Sequence, residues 1–193
     1  MNANDTICPM KNKFTLSCSY LLFALICAGE RVSLWPDGKI PDFQHQQIAA
    51  TTKEVKQADF KREEHTMPYI EWFDAPTEKN GACMLLISGG GYKNCCDWWW
   101  IEKVAKKFTN LGYVCVSLTY RTPRPQGLPI YQSGWQDGQR AVRLVRQSAK
   151  KRGFDPEKIG VLGFSAGGHL TVLLGTSALT PAYDPVDAVD EIP

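Results

Sequence analysis

Gly163-Phe164-Ser165-Ala166-Gly167 is a serine bracketed by glycines, placed after a β-like run and before an apolar helical run. In that context the string reads as a sharp strand-to-helix turn. The glycines remove side chains that would clash in such a turn, and the serine is pushed out at the end of a sheet. A serine hydroxyl is a weak nucleophile at neutral pH and needs an adjacent base. The oxyanion it generates on a carbonyl needs fixed hydrogen-bond donors. The amide of Ala166 follows the serine and is one donor. A second string, Ser88-Gly89-Gly90-Gly91-Tyr92, ends another β-like run upstream. Gly90 and Gly91 lack Cβ atoms, so their amides can approach a substrate closely and serve as the other donors. A phosphate loop is the competing reading of these glycines, but no Gly-Lys-Ser/Thr follows them. A lone G-x-S-x-G arises often by chance. Two such strings in this order, each at a strand end, specify acyl transfer through Ser165 with Gly90, Gly91 and Ala166 as the oxyanion hole.

The elements that must hold these strings are legible from periodicity. Residues 82–87 form a continuous apolar run suited to a strand buried on both faces. Residues 97–111 predict a helix, with Ile101, Val104, Ala105, Phe108 and Leu111 on one face and Gly112 at its end. A second strand is predicted over 113–120. Residues 121–131 hold three prolines, which break any regular ladder. A second helix is predicted over 135–152, with Ala141, Val142, Leu144, Val145 and Ala149 inward and Gly153 after it. Asp137 is expected to cap or anchor it. A third strand over 158–164 and a third helix over 166–178 complete the series. Strands alternating with helices at this spacing predict an α/β fold, a mainly parallel sheet with helices on both faces. Ahead of it, residues 48–56 and 66–73 are weak strand candidates for an antiparallel start. Residues 31–42 are rich in turn residues and predict an irregular arm.

The first 29 residues read as a leader. Lys11 and Lys13 are basic, residues 20–28 are apolar but too few to span a bilayer, and small residues follow at Cys27, Ala28 and Gly29. The expectation is a signal peptide over 1–29, one domain over 30–193, and a secreted or periplasmic protein without stable membrane association after cleavage. The length of 193 residues suits a single domain, and 44% hydrophobic content suits a packed core. A formal charge of +2, with acids interspersed among the bases, gives no case for nucleic acid. Three of the seven cysteines fall in the leader. Cys83 and Cys115 are expected to be small core residues, and Cys95-Cys96 to lie in the loop after the glycines. No C-x-x-C spacing exists, so no metal site is expected.

The chain resembles the α/β-hydrolase superfamily, in its hormone-sensitive-lipase-like and acetyl-xylan-esterase-like branch. The strings that carry the resemblance are Ile87 through Tyr92, Leu118-Thr119-Tyr120-Arg121, Asp137 through Arg146, Asp155 through Gly160, and Gly163 through Leu170. They span about residues 82–175. The resemblance implies hydrolysis of a carboxylic ester, on a small-molecule or polysaccharide substrate, without a cofactor. Carbohydrate acetyl esters are the implied class. Ser88 stands where many lipases and esterases carry histidine. The family's triad order is serine, acid, histidine, and 28 residues follow Ser165 here. The expectation is a chain cut after its third βα unit, with the acid and histidine beyond Pro193, and therefore deficient in catalysis by itself. Two rival readings are a serine peptidase of the prolyl-oligopeptidase type and a non-catalytic remnant.

No histidine in the sequence fits the base. His169 lies one turn into the helix that Ser165 opens and is assigned a hydrogen-bonded core role. His45 and His65 precede the main sheet. Asp184, Asp187, Asp190 and Glu191 are expected on a solvated loop. The triplet Trp98-Trp99-Trp100 could stack on sugar rings, but part of it should pack on the sheet.

Overall fold

A computed structural model of the chain describes residues 29–36, 39–45, 55–57, 60–63, 67–75, 78–96 and 98–193. The leader up to residue 28, His65 and most of the 48–56 strand candidate lie outside the described residues.

Eight strands and three α-helices are described: β1 (Arg31–Ser33), β2 (Val55–Gln57), β3 (Phe60–Glu63), β4 (Tyr69–Phe73), β5 (Cys83–Ile87), β6 (Cys95–Cys96), α1 (Trp98–Thr109), β7 (Val114–Thr119), α2 (Gln132–Arg152), β8 (Ile159–Gly163) and α3 (Ala166–Thr176). The main sheet has the order β1-β4-β7-β5-β8. Strands β7, β5 and β8 are parallel, whereas β4 and β1 add antiparallel. This is the α/β architecture expected, with β8 at one edge of the sheet among the described residues.

Alternation along β5 explains the layers. Cys83, Leu85 and Ile87 face a core shared with Ala141, Val145 and Ala149 of α2 and Leu170 of α3. Leu86 faces the other way, onto Ile101 and Ala105 of α1. Helices therefore cover both faces. Leu111 departs from its expected place in that stripe and is exposed. The reason is that α1 stops at Thr109, and Gly112 turns the chain at φ 85°.

The 31–42 segment is a correction. Arg31–Ser33 forms an edge strand on β4 with Arg31 opposite Glu71, and the Arg31 Nε to Glu71 Oε2 distance is 3.2 Å. The strand needs only three residues because it docks on an edge already made. Leu34 and Trp35 then enter the core. Cys95–Cys96 is likewise no plain loop. It pairs with β3 in a small second sheet, β2-β3-β6.

Asp137 anchors α2. Its carboxylate is fully buried and faces donors only: Trp35 Nε1 at 2.8 Å, the Arg121 amide at 2.7 Å and Arg121 Nε at 2.9 Å. Asp187 and Asp190 are also corrected. Rather than being solvated, both carboxylates hold Arg140, at 2.6 Å and 3.0 Å, and the Asp190 side chain is nearly closed to solvent. These pairs tie the segment after α3 onto α2. The Arg140 guanidinium holds Asp187 below the usual aspartate range.

Candidate functional site

The sheet order reverses at β5. The chain leaves β5 through α1 to β7 on one side, then returns through α2 to β8 on the other. Connections that diverge from one strand leave a crevice at the carboxyl ends, where ligands of such sheets bind. Ile87 and Gly163 are register partners across β5 and β8. They are the last residues of their strands, so the Gly89-Gly90-Gly91 loop and the Ser165 turn leave the sheet side by side. The Phe164 amide donates to Ile87 O at 3.2 Å and joins the two turns.

Ser165 sits at φ 52° and ψ −117°, a backbone state that a non-glycine residue seldom adopts. Such strain persists only where the surroundings over-determine it. Here the closeness of three backbones does so. A Cβ on Gly163 would lie 2.1 Å from Gly167 O, and one on Gly167 would lie 2.4 Å from Ile87 O. A Cβ on Gly89 would lie 2.9 Å from the Ser165 Cβ. The glycines are thus required by contact, and Ser165 is left exposed at the start of α3.

Peptide geometry sets the direction of the amides at this end of the sheet. Ala166 is the first residue of α3, so its N–H has no intrahelical acceptor. The helix N-terminus adds a partial positive charge at the same place. In the loop, Gly90 O accepts from the amides of Lys93 and Asn94, at 3.1 and 3.4 Å. In a trans peptide the N–H points opposite to the C=O. The Gly91 amide is therefore directed away from that turn. Gly90, at φ 133°, has no room for a side chain, because a Cβ would fall 1.8 Å from Asn94 O. Gly91 O is held in turn by Arg124 Nε at 2.9 Å. Ser165, Gly90, Gly91 and Ala166 are thus brought to one end of the sheet.

Two histidines can be placed. The ring of His45 is 3.1 Å from Gln126 O, in the proline-rich connection. His169 is exposed rather than part of the core, because the N-terminal turn of α3 faces outward at the strand ends. Its hydrogen bond was anticipated, and the partner is Tyr92 Oη at 2.9 Å. Among the described residues no imidazole is bonded to the Ser165 hydroxyl. Trp100 packs edge-on against Phe164, with 4.1 Å between ring centroids. The side chains of Trp98 and Trp99 lie outside the described set.

Sequence reasoning missed Tyr92. Its ring is buried, its hydroxyl donates to Ala166 O at 3.0 Å, and its backbone is left-handed at φ 60°. Burial, with Tyr131 nearby, pushes its phenol up to about 12. The only signal in the sequence is a tyrosine directly after three glycines.

A family model described as BD-FAE matches residues 72–187. The chain belongs to the BD-FAE family. That match takes in both glycine-bearing turns and the whole of β5 through α3. Over 88 residues this BD-FAE chain is 40% identical to endo-1,4-beta-xylanase B of Butyrivibrio fibrisolvens, covering 46% of the chain and 14% of that protein. It is 27% identical over 142 residues to esterase LipQ of Mycobacterium tuberculosis, covering 73% of the chain and 32% of LipQ. Among solved structures, an acetyl ester-xyloside bifunctional hydrolase from Caldicellulosiruptor lactoaceticus superposes with a TM-score of 0.57 at 29% identity, over 80% of this chain and 49% of that one. The BD-FAE chain has the α/β-hydrolase fold and spans less than half the length of each of these relatives.

Proposed function

We propose that Ser165 is the nucleophile of a carboxylic ester hydrolase that acts on acetyl esters of carbohydrates. The observation that carries this reading is the exposed Ser165 at φ 52°, at the sheet's switch point, with Gly89 against its Cβ and the Ala166 amide behind it. Ser165 Oγ attacks the ester carbonyl carbon and gives its proton to a general base. The carbonyl π electrons move to oxygen, and the amides of Ala166, Gly91 and Gly90 receive that oxyanion. Collapse expels the alcohol, which takes the proton from the base, and leaves an acetyl-Ser165 ester. Water, deprotonated by the same base, attacks the ester; acetate leaves and Ser165 regains its proton. The base that this reading calls for is a histidine. The carbohydrate assignment leans on the name of the structural relative, an acetyl ester-xyloside hydrolase. A signal peptide over 1–29 would make the protein secreted or periplasmic, which suits a polysaccharide ester substrate.

The test is a panel assay of the full-length protein on acetylated xylo-oligosaccharides, chromogenic acetyl esters and prolyl amides. Turnover of the acetyl esters, lost in Ser165→Ala, is expected. Preferential cleavage of the amides would replace the reading with a peptidase, and no turnover of any would point to a remnant.

A further inference from the structure

Three side chains beside the nucleophile turn take no part in the acyl transfer: Tyr92, Tyr131 and His169. Their hydrogen bonds can be assigned by counting protons. The Tyr92 hydroxyl has one hydrogen. It lies 3.0 Å from Ala166 O and 2.9 Å from His169 Nδ1. A carbonyl oxygen only accepts, so both contacts are hydrogen bonds only when the hydroxyl proton goes to Ala166 O. The contact with His169 is then a bond only if Nδ1 carries a hydrogen and donates to the Tyr92 oxygen. The neutral tautomer that keeps both bonds carries its hydrogen on Nδ1, and Nε2 is left with a lone pair. No partner for Nε2 exists among the described residues.

The place of that lone pair matters. The His169 amide donates to Ser165 O at 3.0 Å, so the two residues stand one turn apart. Helical side chains lean toward the N-terminus and cover the preceding turn. The imidazole therefore lies over the Ser165 turn, and it is exposed. The Tyr131 ring stands beside it, with 5.5 Å between centroids. An acceptor next to a half-exposed aromatic ring suits a ligand that has both hydroxyl donors and C–H faces.

We propose that His169 is a specificity-determining residue for the alcohol portion of the ester. Its Nε2 accepts a hydroxyl adjacent to the acylated position, and the Tyr131 ring lies under the same portion. The ester is then that of a polyol or sugar with a free neighbouring hydroxyl, in preference to that of a simple alcohol. Tyr92 is a positioning residue, since it sets which imidazole nitrogen accepts. This proposal rests on Ser165 being the nucleophile.

Two measurements test it. In full-length protein labelled with 15N-histidine, at a pH where His169 is neutral, its ring shifts should report Nδ1–H. In Tyr92→Phe that preference should be lost. An Nε2–H tautomer in the wild type overturns the proposal, whatever the activity. The kinetic arm compares kcat/KM for a methyl xyloside monoacetate with a free vicinal hydroxyl and for its deoxy analogue. The hydroxylated ester should be favoured roughly 3- to 10-fold, the worth of one neutral hydrogen bond. That ratio should fall to about one in His169→Leu and fall part-way in Tyr92→Phe. Equal turnover of both esters by the wild type overturns this proposal and leaves the nucleophile reading standing. Absence of turnover for every acetyl ester overturns the nucleophile reading, and this proposal with it.

Discussion

Adding one methyl group to Gly167 should damage both stability and rate, while the same methyl on its neighbour Gly168 should do neither. A Cβ on Gly167 would lie 2.4 Å from Ile87 O and 2.5 Å from Ser88 O. Ordinary contact begins near 3.4 Å, so the shortfall is about 1 Å. Both obstacles are backbone atoms at the end of β5, and no rotamer change can move them. Helix α3 must instead shift outward by about that distance. Overpacking of this kind costs about 1–3 kcal/mol. The shift carries Ser165 and the Ala166 amide with it, and a misplacement of about 1 Å can cost on the order of 100-fold in rate. On Gly168 the nearest atom to a new Cβ is Gly163 O at 3.4 Å, an ordinary contact. Removing a helical glycine there should add about 0.5–1 kcal/mol. Urea unfolding of Gly167→Ala and Gly168→Ala, with acetyl ester kcat for each in the full-length protein, reads both effects. The reasoning is refuted if Gly167→Ala matches the wild type in midpoint and rate, or if the two variants behave alike.

Asp137→Asn should destabilise the fold by about 3–5 kcal/mol, because it leaves Arg121 buried without its counter-charge and sets an amide against donors; urea midpoints measure it. Acid should loosen the segment that follows α3. Arg140 depresses the Asp187 pKa; for Asp190 burial acts in the opposite direction, but the Tyr183 hydroxyl, the Val186 amide and Arg140 outweigh it. Groups with depressed folded values stabilise above the unfolded value of about 3.9 and lose that contribution as pH falls through the lower folded value. Stability should therefore drop below about pH 4, with a shallower slope in Asp187→Asn; an unchanged slope counts against the pair. N-terminal sequencing of exported protein should begin near Gly29, and an intact Met1 would remove the leader assignment.

The central βα series was legible because each element announces itself by period. The run Cys83–Ile87 is apolar throughout, as a strand covered by helices on both faces must be. The inward stripe of α2 was found from spacing alone, and the register of Ile87 against Gly163 follows once β5 and β8 are neighbours. Edge elements were not legible. β1 and β6 are three and two residues long, and they exist because an edge was waiting for them, which no local pattern encodes. Long-range ion pairs were equally hidden. Asp187 and Asp190 sit in a polar segment that looks solvated until Arg140, more than 40 residues away, is brought beside them. Of the candidate site, the Ser165 turn and the glycine loop could be placed because glycine spacing reports backbone contact. Tyr92 could not, since its role depends on a left-handed φ and on reaching a carbonyl 74 residues on.

The central claim is that Ser165 is an activated nucleophile. The most direct measurement is intact-mass and peptide-mass analysis of the full-length protein after reaction with a fluorophosphonate. The account predicts one adduct per chain, on Ser165, with esterase activity lost in proportion, and no adduct in Ser165→Ala. Labelling at another residue, or ester turnover that survives in Ser165→Ala, would contradict it.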